Sequence, residues 1–329
     1  MTLRIGTRGS QLALWQANTV AERLTAAGAP CRIVVIKTTG DQLQERPLSE
    51  VGGKRLFVKE IEDALLRNEI DLAVHSSKDM PAVLPEGLSI AGVLPREDPH
   101  DAVVLPAGLR AKGLELGDSA LSPQPSALVE ISALVDLLGP TPSIGTGSVR
   151  RVAQLLSVFP RATFTNVRGN VDTRLRKLDA GEHQALVLAA AGLRRLGFAS
   201  RISMTLPTDV CVPAPGQGIV AVETRSDDDA TRSFVEQISD PEAFAALDAE
   251  RAVVETLGGG CQTPIGALAT AIDGLKLELI GTVVSLDGRR VLRATARAKR
   301  EDALELGMRV GHELVAKGAG EILAEVRTR

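Results

Sequence analysis

The spacing of apolar residues along this chain switches repeatedly between short strand-like runs and stretches with one apolar face per helical turn, and each switch marks an element. A strand is expected at 3–6 and a helix at 11–24, with Ser10 suited to the N-cap and Leu12, Trp15, Val20 and Ala21 on one face. A β-rich run at 31–39 buries Cys31 as an ordinary core thiol. Residues 41–53 lack periodicity and read as a loop, with Lys54, Arg55 and Lys59 gathered at its end. Such basic clusters are most often a solvated face; a mobile lid carrying charge to an acidic ligand is the sharper alternative. A helix at 59–68 precedes strands at 70–74, 88–94 and 102–105. The Pro-, Gly-, Ser- and Leu-rich segment 106–142 reads as an insertion with one short helix at 127–138.

The opening pattern then returns. Ser143-Ile-Gly-Thr-Gly-Ser148 mirrors Leu3-Arg-Ile-Gly-Thr-Arg-Gly-Ser10, and the helix–strand pattern of 172–181 and 184–190 mirrors that of 59–68 and 71–74. Strand, Ile-Gly-Thr turn, serine cap and helix therefore occur twice, which predicts a pair of similar α/β domains facing each other. Pro213-Ala-Pro-Gly-Gln-Gly218 reads as a crossing between them, ahead of a strand at 219–222. Beyond about residue 239 the style changes to a helix at 241–256, strands at 266–270, 275–285 and 290–296, and helices at 301–317 and 321–326. Asp287-Gly288 joins the last two strands as a hairpin, so this part is expected to be α+β with an antiparallel sheet.

Composition narrows the function classes. With 329 residues, 44% of them hydrophobic, there is material for two or three full cores. A net charge of −3 and an aromatic set of one Trp, six Phe and no Tyr disfavour a nucleic-acid partner. Three cysteines without a C-x-x-C pair and four scattered histidines lead us to expect neither metal site nor disulfide framework. The opening Thr-Leu-Arg-Ile-Gly has no basic and apolar leader pattern, and no apolar run approaches the ~20 residues of a membrane span, so a cytoplasmic protein without membrane contact is expected.

Four places carry candidate chemistry. In Leu257-Gly-Gly-Gly-Cys-Gln-Thr-Pro-Ile265, a glycine C-cap after the 241–256 helix explains one glycine but not three and a cysteine. Cys261 is either a small apolar thiol or a group free for covalent chemistry as nucleophile, redox sensor or tether, and spacing alone leaves both open. The turn at 7–10, with Arg8, is a ready anion site at a helix N-terminus. His75-Ser-Ser-Lys-Asp-Met-Pro81 crowds polar residues at the C-terminal end of a buried strand, where open α/β sheets bind ligands, although Asp79 on its own reads as a turn residue before Pro81. Arg150 and Arg151 occupy a helix first turn, Arg168 and Arg174 flank the Gly169-Asn170 turn, and Arg194 and Arg195 end a helical stretch. Arginine in a first turn opposes the helix dipole, so a bidentate grip on carboxylates or phosphates explains Arg150 and Arg151 better than surface stability.

Together these residues resemble the porphobilinogen deaminase (hydroxymethylbilane synthase) family. The resemblance is carried by Ile5-Gly-Thr-Arg-Gly-Ser-Gln-Leu-Ala-Leu-Trp-Gln16, Gly52-Gly-Lys54, Phe57-Val-Lys-Glu60 and His75 to Pro81. It continues through Gly145-Thr-Gly-Ser-Val-Arg-Arg151, Arg168-Gly-Asn-Val171 onward to Arg174, Gly192-Leu-Arg-Arg-Leu-Gly197, Pro213 to Gly218, and Gly259-Gly-Cys-Gln-Thr-Pro-Ile-Gly266. These motifs stand in the family's order over most of the chain.

The resemblance implies a monomeric transferase of heme biosynthesis with two similar periplasmic-binding-protein-like α/β domains and a smaller α+β domain with an antiparallel sheet. The implied divisions are 1–98 with 216–237, 99–215, and 238–329. Such an enzyme joins four porphobilinogen molecules head to tail, releasing ammonia each time, on a dipyrromethane cofactor that Cys261 holds as a thioether. Asp79 matches the catalytic aspartate. Ser76, Lys78, Ser148, Arg150, Arg151 and Arg174 are implied to bind the cofactor, and Arg8, Ser10, Lys54, Arg168 and Arg195 the substrate. Glu50 stands where bacterial relatives commonly carry lysine, Arg55 and Asp172 stand where glycine is frequent, and 106–142 is longer than usual. Two other classes fit parts of the pattern: a two-lobed small-anion binding protein, which has no use for Cys261, and a cysteine-nucleophile transferase, which needs a base.

Overall fold

The structure is a computed structural model that describes residues 2–38, 58–110, 127–260 and 263–327. Its frame is three sheets. The first holds β1 (Leu3–Thr7), β2 (Cys31–Val35), β3 (Leu72–Ser76), β4 (Leu88–Val93) and β10 (Val220–Arg225), in the order β2-β1-β3-β10-β4. The second holds β5 (Asp101–Val104), β6 (Ser143–Gly145), β7 (Thr163–Thr165), β8 (Ala185–Ala189) and β9 (Met204–Thr205), in the order β7-β6-β8-β5-β9. The third is the antiparallel meander β11 (Ile265–Ala271), β12 (Lys276–Val284) and β13 (Val291–Lys299).

The two larger sheets share one plan, which is the structural content of the sequence repeat. β1 lies parallel between β2 and β3, and β6 lies parallel between β7 and β8. Gly6 stands opposite Ala73, as Gly145 stands opposite Leu186. The fourth strand is exchanged: β10, late in the chain, runs antiparallel between β3 and β4, while β5, following β4, runs antiparallel beside β8. The chain therefore crosses twice between the sheets, at 94–100 and at 206–219. Two backbone crossings side by side form the natural floor of a cleft between two lobes.

Packing follows the apolar pattern. The helix Gln11–Ala26 buries Ala17, Val20 and Leu24 against Leu3, Ile5 and Val222 of the first sheet. The helices Pro241–Thr256 and Ala303–Ala316 enclose a core with the third sheet, through Val253, Leu279, Val310 and Leu314. No helix among the described residues is long and apolar enough to cross a membrane.

Several expectations are corrected. The strand expected at 70–74 is Leu72–Ser76: Ile70 is buried in the preceding turn, and the sheet continues through His75 because that imidazole meets Glu223 Oε2 at 3.1 Å. The run expected at 31–39 ends as a strand at Val35, and Cys31 is half-buried at the core's edge. The segment 106–142 carries the expected helix, Ala127–Leu138, and that helix puts Leu134 and Leu138 into the second lobe's core. β7 and β9 are too short to be read from the pattern, whereas the helix Asp229–Ile238, capped by Asp228 and with Thr231 and Val235 buried on one face, is an element that the expectations above omit. Lys54, Glu50 and the expected lid, like Cys261 itself, lie outside the described residues.

Candidate active site

The turn after β3 presents the first group of candidates. Ser76 is tied to the first helix through Gln16, whose Nε2 donates to Ser76 Oγ at 2.9 Å. Residues Ser77–Asp79 form one tight helical turn, pinned where Ser77 N–H donates to Ile219 O at 3.0 Å across the second crossing. A turn so held exposes Asp79 while burying Ser77 and Met80 on either side. Half-buried Lys78 lies between; burial lowers its ammonium to about 8, with Asp79 opposing that shift and Arg151 and Arg150 adding to it.

The second lobe supplies the arginines. Ser148 caps its short helix, accepting from Arg151 N–H at 3.5 Å. Arg150 and Arg151 do grip a carboxylate, but an internal one. Arg150 Nη1 and Nη2 reach Asp101 at 2.7 and 3.1 Å, and Arg151 Nε reaches Asp101 Oδ1 at 2.8 Å. Burial alone pushes the Asp101 carboxyl up, but Arg150 and Arg151 together hold it far below the usual carboxylate range. Thus the two arginines expected to meet the cofactor with free guanidinium edges are largely engaged already. Only part of Arg150 remains, its buried Nε lacking a hydrogen-bond partner.

Arg174 donates from Nε to Gly169 O at 2.8 Å, and its pKa is lowered by burial and by Arg151 and Arg168, with Asp79 opposing. These four charged groups therefore share one region. Arg195 stands apart, its Nη2 donating to Gly218 O at 2.7 Å and its guanidinium 5.5 Å from the Trp15 ring centroid. Burial lowers Arg195 to about 10, against the pull of Glu97. Arg8 is half-buried beyond the end of β1, and Ser10 Oγ is used as a cap, accepting from Ala13 N–H at 3.3 Å.

The third unit closes the site through its glycine loop. Gly258 has φ +59°, and its N–H and that of Gly259 donate back to Glu255 O and Val254 O at 2.9 and 3.0 Å, closing the helix end. A Cβ on Gly259 would lie 2.3 Å from Ile265 Cδ1, whereas one on Gly260 would meet nothing within 4 Å. Two of the three glycines thus serve the fold, and the third borders open space. Gly260 and Thr263, the residues either side of the undescribed pair, line one cavity with Lys78, Ser148, Arg150 and Arg251. That cavity gathers residues from all three sheets' surroundings, with three cations and, at Ser77, a buried hydroxyl without a hydrogen-bond partner.

Beneath it runs a polar junction that sequence reasoning missed. Gln217 Nε2 donates to Asp101 Oδ1 and Pro99 O at 2.9 and 2.6 Å, and its backbone carbonyl accepts from Arg96 Nε at 3.0 Å. Arg96 in turn pairs with fully buried Glu250 at 2.6 Å, and Glu250 also accepts from Gly216 and Ala269 N–H at 2.6 and 2.8 Å. One signal was available: Glu250 interrupts the apolar face of its helix between Ala249 and Val253.

The sequence that builds this cation-rich cleft has counterparts among known proteins. Residues 3–233 match the model described as "Porphobilinogen deaminase, dipyromethane cofactor binding domain", and residues 244–316 match "Porphobilinogen deaminase, C-terminal domain". Porphobilinogen deaminase of Syntrophobacter fumaroxidans is 42% identical over 326 residues, covering 98% of this chain and 97% of the relative. That of Acidithiobacillus ferrooxidans is 44% identical over 328 residues, covering 99% and 98%. Among solved structures, the methionine binding protein MetQ aligns at 12% identity with a TM-score of 0.42, over 76% of this chain and 94% of that one, a likeness too weak to inform function. Full-length identity at this level, with both models in order, establishes that the chain belongs to the porphobilinogen deaminase family.

Proposed function

We propose that this chain performs the family's condensation of four porphobilinogen molecules with Asp79 as the catalytic carboxylate and Cys261 as the point of dipyrromethane attachment. The observation that carries the reading is the cavity where Lys78, Ser148 and Arg150 meet Gly260 and Thr263, the neighbours of the undescribed Cys261–Gln262 pair. Its donor set fits a polycarboxylate: Lys78, Arg150 and Arg251 are cations, Ser77 Oγ and Arg150 Nε are buried without hydrogen-bond partners, and Asp101 offsets only part of the charge.

Bound dipyrromethane supplies the primer on which the pyrrole chain is extended. The protein supplies charge and position. Asp79, exposed on a rigid turn, offers a carboxylate where positive charge develops on porphobilinogen as ammonia leaves, and it stands ready to help move the protons released. Lys78, Arg150 and Arg174 hold cofactor carboxylates, and Arg174 with Arg168 and Arg195 receives those of the growing chain, each added pyrrole bringing two more. Ser76, Ser148 and Arg151 set the turns and helix end from which these groups project. Arg8, Ser10 and Lys54 complete the proposed substrate set. We divide the chain at 1–98 with 216–237, 99–215 and 238–329, the two crossings forming the hinge, and take the enzyme to act as a cytoplasmic monomer. Porphobilinogen turnover by folded Asp79→Asn protein tests the reading: collapse supports it, and near-normal turnover overturns it.

A further inference from the structure

We propose that Asp101 is a positioning residue for the cofactor, fixing Arg150 and Arg151 as one charged, oriented pair, with Gln217 as its second support. The proposal rests on the reading that places the cofactor in the cleft at Cys261. Asp101 has no exposed surface, and its two oxygens accept from Arg150 Nη1 and Nη2, Arg151 Nε and Gln217 Nε2, all within 3.1 Å, and from the Cys211 thiol at 3.3 Å. A carboxylate so fully engaged has no lone pair left for a substrate proton. What it does control is the plane of Arg150, gripped through both terminal nitrogens.

That plane matters because Arg150 is the member of the pair that lines the cavity with Lys78, Ser148 and Gly260, and its buried Nε has no hydrogen-bond partner. Val212 O takes a further bond from Arg150 Nη1 at 2.6 Å, and Val187 O takes one from Arg151 Nη1 at 3.0 Å, so both side chains are braced from behind. Gln217 completes the brace. It holds Asp101 with its amide, accepts from Arg151 Nη2 at 3.4 Å, and through its own carbonyl meets Arg96, which is paired with Glu250 on the helix that leads into the cysteine loop. The arginine pair of the second lobe is thereby set relative to the element that carries the cofactor's attachment point.

Charge and geometry predict opposite results for Asp101→Asn. If only net charge mattered, removing a carboxylate would make the cleft more positive and bind a polycarboxylate tighter. If Asp101 works by position, the two arginines lose their common anchor and binding weakens. The test is the intact mass of Asp101→Asn purified beside wild type, with a melting curve to establish folding. We expect a folded variant whose ratio of loaded to bare chain falls about tenfold or more, the scale of one charge-assisted hydrogen bond, and Asp101→Glu recovering loading in part. Loading equal to or above wild type in folded Asp101→Asn would overturn the proposal. Should Asp101→Asn fail to fold, Gln217→Met decides, since it keeps the ion pairs and removes only the brace. A ratio of loaded to bare chain below wild type at an unchanged melt supports the proposal, and wild-type loading overturns it. A bare wild-type mass brings down the cofactor reading and this proposal together; a loaded wild type beside an equally loaded Asn variant brings down this proposal alone.

Discussion

Arg150 holds Asp101 with both terminal nitrogens, at 2.7 and 3.1 Å, and the two residues are 3% and 0% exposed. A pair this deep behaves differently from an arginine facing only a ligand, because deleting either partner strands a charge inside the protein.

Arg150→Leu is therefore expected to destabilise the fold by about 3–5 kcal/mol as well as to lose cofactor. Arg174 should behave in the opposite way. Its pKa is lowered by burial and by the nearby cations Arg151 and Arg168, so Arg174→Leu relieves repulsion. We expect its melting temperature to stay near wild type while protein accumulates with partial pyrrole chains attached. Melting curves and intact masses of the two variants check the contrast; equal destabilisation would contradict it.

Asp79→Asn keeps the turn preferences and nearly the shape of the side chain but removes its charge. Loss of one well-placed electrostatic group costs about 10² to 10³ in rate, or roughly 3 to 4 kcal/mol, and that is the expected fall in kcat. Asp79→Glu should retain partial activity. Because Asp79 is exposed, neither change should disturb the melt.

The turn before Pro81 was legible in the chain, and so were the doubled strand–turn–helix unit, the antiparallel third sheet and the helix ending at the glycine loop. All four rest on local signals: alternation, caps and glycine punctuation. The Arg150–Asp101 pair was not legible, because the partners are 49 residues apart and nothing in the sequence marks Asp101, the first residue of β5, as the acceptor. For the same reason Gln217 passed as part of a Pro/Gly crossing, although its side chain is the node of that crossing. First-turn arginines read as a grip on carboxylates or phosphates; the carboxylate that both hold here is the internal Asp101.

Lys78 brings a pH dependence. Its folded value of about 8 lies below the ordinary 10.5, so the burial penalty on the ammonium is fully present below pH 8 and is relieved as pH rises from there toward 10.5. Stability from this group thus rises with pH, while the positive charge offered to carboxylates is lost over the same window. We expect kcat/KM for porphobilinogen to fall as pH rises through about 8 and Lys78→Arg to move that limb upward. A limb unmoved by the arginine would assign it elsewhere.

The glycines of the loop separate fold from function. Gly258→Ala places a side chain at φ +59° and is expected to cost about 1 kcal/mol. Gly260→Ala meets nothing within 4 Å and should leave the melt unchanged, so any loss of cofactor loading there reports on the cavity. Urea titrations of both variants check the difference.

The account turns on Cys261, and the mass of the purified protein tests it most directly. We expect wild type, Cys31→Ser and Cys211→Ser to be heavier than the bare chain by two linked pyrrole units, and Cys261→Ser to have the bare mass and no turnover. Active wild-type protein at the bare mass, or full activity in Cys261→Ser, would contradict the account.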